Sequence, residues 1–141
     1  MIDHSPQLPL TGGCHCGAVR YQISALPKRT ANCHCRTCQR TSGAAYLAIM
    51  FVATDILQIT GTYQEYATPA ASGNTLYRAF CPNCGCSLFA RNSAFANIRP
   101  VTAATLDDPS WFKAKLDMWV AEAQAWDMMD PELPKFAGNP W

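Results

Sequence analysis

Residues 80–89 read FCPNCGCSLF, and this stretch decides how the chain can fold. Cys81 and Cys84 are separated by Pro82 and Asn83 and followed by Gly85. Pro82 sets the backbone angle of the turn, and Gly85 allows the positive φ or close backbone approach that follows the second thiolate. A Cys-Pro-x-Cys-Gly knuckle presents two thiolates to one metal ion, whereas a structural zinc site needs four ligands, with sulfur at about 2.3 Å. Strand-like text lies on both sides, NTLYRAF (74–80) before and CSLFAR (86–91) after, so the knuckle belongs to a β-hairpin.

Outward from the hairpin the strand signals continue. AVRYQIS (18–24) alternates apolar and polar residues, as a half-buried strand does. AYLAIMFV (45–52) is a continuous β-prone run, the mark of a strand covered on both faces. ILQITGTYQEYA (56–67) reads as two strands joined through a turn at Gly61. NIRPVTAATL (97–106) carries Pro100, which has no N–H for a ladder, so this strand is expected at a sheet edge. DDPSW (107–111) is a turn, and KAKLDMWV (113–120) reads as a strand in preference to a helix. RTCQRTSG (36–43) is expected to form one short helical turn ended by Gly43. Residues 1–11 look like a polar arm, and the tail DPELPKFAGNPW (130–141), with three prolines, is expected to wrap irregularly over the surface. Many short strands, Gly/Pro turns and little helix give a mainly β class, and residues 1–141 read as one domain.

Charged residues make up 15% of the chain and apolar ones 49%, the balance of a compact globular protein. The 11 basic and 10 acidic residues leave a net charge of +1, so nothing in bulk electrostatics suggests nucleic acid or an anionic membrane as a partner. The start, MIDHSPQLPLTGG, lacks the basic and apolar regions of a signal peptide, and the longest apolar run, GAAYLAIMFVA (43–53), is about half a membrane span. A cytoplasmic location is therefore expected, and there eight cysteines are better read as metal ligands than as disulfides.

The cysteines fall into three clusters: Cys14 and Cys16; Cys33, Cys35 and Cys38; Cys81, Cys84 and Cys86. Two half-sites make one closed site, so the economical pairing joins Cys14 and Cys16 to Cys81 and Cys84 as a structural zinc. Cys33, Cys35 and Cys38 then remain together, and three protein ligands with an open position is the layout of a catalytic zinc. Cys86 either completes that trio as a closed site or sits on its strand as a small buried hydrophobe. His15 and His34 each stand between two ligand cysteines, where an extended backbone turns the middle side chain to the other side. Neither is expected to bind metal. Arg36, Gln39 and Arg40 flank the trio, where Arg36 and Arg40 could grip carboxylates of a small acidic thiol or simply be solvated. Trp111, Trp119, Trp126 and Trp141 read as packing groups, because no basic stripe accompanies them.

GGCHCGAVRY, CHCRTCQRTSGAAY, FCPNCGCSLF and the tail W…LPKF…NP together resemble the glutathione-dependent formaldehyde-activating enzyme family, which also includes centromere protein V. The resemblance runs in order from Gly12 to about Pro140. It implies a β-tent zinc fold like that of methionine-R-sulfoxide reductases, with a structural zinc on Cys14, Cys16, Cys81 and Cys84 and a catalytic zinc on Cys33, Cys35 and Cys38. It further implies a carbon–sulfur lyase that joins glutathione, or another small thiol, to formaldehyde as S-hydroxymethylglutathione, or the reverse. Asp117, in LDMW, stands where members of the family often carry His, which would reverse the charge there if that position lines the pocket. The rival readings are a zinc-scaffolded binding module without turnover and, behind it, a redox or zinc-storage sensor. The oligomeric state, with a homodimer as one option, stays open.

Overall fold

The structure is a computed structural model and describes residues 5–141. In chain order its strands are β1 (Leu10–Gly13), β2 (Arg20–Ile23), β3 (Arg29–Cys33), β4 (Leu47–Ala53), β5 (Leu57–Thr60), β6 (Gln64–Pro69), β7 (Thr75–Phe80), β8 (Ser87–Asn92), β9 (Ile98–Thr102) and β10 (Asp117–Met118), and one helix, α1 (Arg36–Ser42), follows β3. They form a three-stranded sheet, β1-β2-β5, and a seven-stranded sheet, β10-β3-β4-β9-β8-β7-β6. Every strand pair is antiparallel except β10 with β3. The mainly β class read from the sequence is therefore the observed one.

Register explains which side chains are buried. Met50 pairs with Val101, Val101 with Phe89 and Phe89 with Ala79, a row that crosses four strands. All four are buried, packed with Val19, Tyr21 and Ile23 of the small sheet's segment. Burying a side chain such as Val or Met completely stabilises the fold by ~1.5–3 kcal/mol each. One residue along, the side chains face the other way. That row runs from Phe51 through Pro100 and Ala90 to Arg78, on the same face as Ile49, Leu47 and Cys33. A second, smaller core forms there from Ala31, Cys33, Cys38, Ile49 and Met118.

Several expectations change. Strand β9 is interior, between β4 and β8, although it carries Pro100. It pairs with β4 along Ile98–Thr102, while its ladder to β8 registers at Phe89↔Val101 alone, next to the proline. The missing N–H thins one ladder instead of pushing the strand to an edge. The strands on either side of Gly61 do not pair with each other: β5 closes the small sheet and β6 ends the large one. Gly61 has φ 91° and lies so close to the Ala18 carbonyl that a Cβ would sit 2.1 Å from its oxygen. The arm expected over residues 1–11 is shorter, because Leu10 and Thr11 already belong to β1 and Leu10 is buried; residues 1–4 of that arm lie outside the described residues. The tail is irregular, as expected, and its Trp141 packs edge-on against Phe51 with Arg29 stacked on its ring.

Candidate metal centres

The hairpin of β7 and β8 carries the knuckle, and the turn after β1 carries Cys14 and Cys16. The two meet. The sulfurs of Cys14, Cys16, Cys81 and Cys84 all lie within 4.8 Å of one another, with Cys14 to Cys16 at 3.6 Å and Cys16 to Cys81 at 3.7 Å. Four sulfurs each about 2.3 Å from a central zinc would stand about 3.8 Å apart, so these residues fit that ion. Local donors lower three of the four thiols, whereas Cys81, despite N–H donors at Cys84 and Asn83, is pushed up to about 11 by burial and by its contacts with Cys14 and Cys16. The Val19 N–H donates to Cys14 Sγ at 3.2 Å. The Asn83 side chain and the Ala18 N–H hold the Cys16 thiol below its ordinary value, and the Cys86 and Cys16 N–H groups do the same for Cys84. Gly85 adopts φ 76°, the conformation read from the motif.

The second group is built by one short stretch. Cys33 ends β3, Cys35 is the N-cap of α1 and Cys38 lies in its first turn. The Cys38 N–H donates to Cys35 Sγ at 3.3 Å, and Gly43, at φ 67°, ends the helix with its N–H on the Gln39 carbonyl. The three sulfurs lie within 4.8 Å of one another, and no fourth Cys, His, Asp or Glu of the described residues joins them. Cys33 and Cys38 are buried and Cys35 is half-buried, so the group opens to solvent on the Cys35 side. Hydrogen bonds from Cys33 and Cys38 pull the Cys35 thiol far below the usual range, and giving those bonds pushes Cys33 up. Three thiolates without a fourth protein ligand suit a zinc ion that keeps one coordination position free.

Cys86 stands apart from both groups. Its sulfur donates to the Ser87 carbonyl at 3.7 Å, and burial raises its pKa. His15 is exposed, and His34 turns its ring away from the sulfurs as the Cys-x-Cys spacing requires. The His34 ring is fully buried between two carboxylates, with Nδ1 2.5 Å from Asp127 and Nε2 2.9 Å from Asp117. Lys135 and Asn32 also donate to Asp117, at 3.0 and 3.2 Å. Asp117 is therefore a buried partner of the trio's loop and not a charge lining a pocket.

The C-terminal segment extends this support. The His34 N–H donates to the Met118 carbonyl, Gln39 Nε2 bridges the carbonyls of His34 and Glu122, and the Glu122 carboxylate accepts from the first helical N–H, that of Arg36. Arg36 and Arg40 are both exposed, and the Arg36 guanidinium is turned onto Gln39 Oε1. Sequence reasoning missed Asp127 and Glu122, which no spacing rule could tie to Cys33–Cys38, and it missed Arg78. Arg78 leaves β7 on the trio's side of the large sheet, and its charge favours the thiolates of Cys35 and Cys38.

Comparison with known proteins agrees with this geometry. A protein of Halomonas elongata named "Putative glutathione-dependent formaldehyde-activating enzyme" is 25% identical over 111 residues, which cover 70% of this chain and 66% of that protein, just under two thirds of its length. The crystal structure of a Rhodobacter sphaeroides protein, a structural genomics target, superposes with a TM-score of 0.57 at 18% identity, over 89% of this chain and 98% of that one, and shares its fold. The description of one family matches residues 9–122, most of the chain and both cysteine groups. The chain belongs to the glutathione-dependent formaldehyde-activating enzyme family.

Proposed function

We propose that the chain is a carbon–sulfur lyase that joins a small thiol to an aldehyde, or parts them, with glutathione and formaldehyde as the substrates its family suggests. The observation that carries this reading is the trio of Cys33, Cys35 and Cys38 with no fourth protein ligand among the described residues. Zinc bound there would supply Lewis acidity and favour the thiolate form of an incoming thiol. In the forward direction the thiol sulfur attacks the aldehyde carbon, a C–S bond forms as the C=O π bond opens, and the thiol proton ends on the oxygen. The chain's own part is to fix the three sulfurs. The Cys35 cap, the buried His34 ring and the Glu122 carboxylate hold this loop in one geometry before substrate arrives, so that little reorganisation is needed during reaction. The other four cysteines serve as a structural zinc site in this reading, and the site of action is intracellular. Arg36 and Arg40, in the first and last turns of α1, are exposed, but the Arg36 guanidinium is already held by Gln39 Oε1.

Cys35→Ser tests the proposal. It is expected to lower bound zinc from two to one per chain and abolish turnover of glutathione with formaldehyde, leaving the protein folded. Full turnover with the trio empty would refute the trio as the site of reaction, and no turnover by zinc-loaded wild type would refute the lyase. Wild-type protein with both zincs bound, a thiol contacting the trio and no turnover would favour the non-catalytic binding module instead.

A further inference from the structure

On the trio's side of the large sheet, Arg78 is a strand arginine without an acidic partner among the described residues. Arg20 pairs with Asp107 and Arg91 with Glu65, while Arg36 is turned onto Gln39 and Arg29 is stacked on Trp141. Arg78 makes no ion pair among the described residues. One of its five N–H groups, on Nη1, donates to Thr68 Oγ1 at 2.7 Å across the β6–β7 ladder, which fixes the guanidinium in place. Its cross-strand neighbour is Ala90, and Pro100 follows on β9. Neither Ala90 nor Pro100 carries a charge or a hydrogen-bonding side-chain group that could pair with the guanidinium. The end of helix α1 contacts the start of β8, where Ser87 donates to the Thr41 carbonyl at 3.1 Å. A half-buried guanidinium with most of its fork unused, on the same face of the large sheet as the trio, is suited to bidentate recognition of a carboxylate.

From this geometry we infer that Arg78, oriented by Thr68, is the anion subsite of the trio and binds a carboxylate of the thiol substrate. The inference rests on the reading of the trio as a thiol site. It assigns the specificity for acidic thiols to β7 instead of to Arg36 and Arg40 on α1. The energetic basis is a charge-assisted, two-pronged contact made while the substrate sulfur is at the trio, so two weak contacts act as one.

The test is equilibrium binding of glutathione and of its diethyl ester to zinc-loaded protein, by calorimetry. Wild type is expected to bind glutathione at least tenfold more tightly than the ester. Arg78→Met is expected to remove that preference, leaving ester affinity and two bound zincs unchanged. Arg78→Lys should restore only part of it, and Thr68→Val should weaken glutathione binding several-fold. With metal-free protein, S-methylglutathione should still shift the Arg78 Nε–H resonance of wild type. A preference that survives Arg78→Met, or that vanishes instead in an Arg36→Met/Arg40→Met variant, would overturn the assignment. Equal weakening of both ligands by Arg78→Met would overturn it too, by showing that Arg78 acts only through its charge on the sulfurs and makes no contact with the carboxylate. A wild type that binds both ligands alike refutes the subsite alone, whereas one that binds neither refutes the thiol site as well.

Discussion

Replacing His34 by Ala should destabilise the protein by ~3–5 kcal/mol. The ring is fully buried, and each of its nitrogens meets a carboxylate whose side chain is 1% exposed. Removing one partner of a buried ion pair typically costs ~3–5 kcal/mol, because the remaining charge is left without water or a counter-charge. The two carboxylates do not suffer equally. Asp117 keeps Lys135 and Asn32, whereas His34 is the side-chain partner shown for Asp127. Most of the penalty therefore belongs to Asp127. For a chain of this length each kcal/mol lowers Tm by roughly 3 °C, so His34→Ala should melt ~10–15 °C below wild type. Urea unfolding at fixed free zinc gives the free energy directly. If the account is right, adding Asp127→Asn to His34→Ala should recover ~1–2 kcal/mol, because the orphaned charge is gone. A loss under ~1 kcal/mol for the single variant, or a double variant less stable than the single, would refute the reasoning. Because His34 sits between Cys33 and Cys35, the same change should weaken zinc at the trio by about 10–100-fold and leave the four-cysteine site loaded.

Other outcomes follow from the same geometry. Burial alone would raise the Asp117 carboxyl, but hydrogen bonds from His34, Lys135 and Asn32 outweigh it and leave the pKa below its ordinary 3.8. Its contribution to stability is thus complete above about pH 4 and is lost as pH falls through the folded value, and Asp117→Asn should flatten urea midpoints measured between pH 2 and 4. Cys84→Ser should abolish cooperative unfolding by breaking the closed site, while Cys86→Ser should keep two zincs per chain and a Tm within about 2 °C of wild type, both read by zinc analysis and thermal melts. Gly61→Ala should cost ~2–4 kcal/mol in urea unfolding, since its Cβ would meet the Ala18 carbonyl at 2.1 Å in a backbone held at φ 91°.

The two cysteine groups were legible in the sequence because their spacing is local. A knuckle is four residues wide, and Cys-x-Cys alternation alone turns His34 away from the sulfurs. Helix α1 was legible through its stop at Gly43, while its cap, the Cys35 sulfur, came only with the structure. Partners set by distant chain were not. Gly61 marks a sharp turn equally well whether its flanking strands pair or part, and only packing against Ala18 decides. Pro100 was misplaced because the rule about edges concerns a donor, and this sheet loses that donor on one side without ending. Asp127 and Glu122 carry no motif, and Arg78 is one more strand arginine until register places it opposite Ala90.

The supports of the trio come from far along the chain: Asp117 and Asp127 lie 83 and 93 residues beyond His34. Cys16 meets Cys81 after 65 residues, and no later element supplies a ligand to that group. During synthesis from the N-terminus, all four cysteines of that group are thus made before Asp117 or Asp127. The open trio cannot reach its final shape until the C-terminal segment has emerged. The four-cysteine group can therefore be brought together before the buried surroundings of the trio exist, and the loop of Cys33–Cys38 gains its fixed shape only with Asp117 and Asp127 in place.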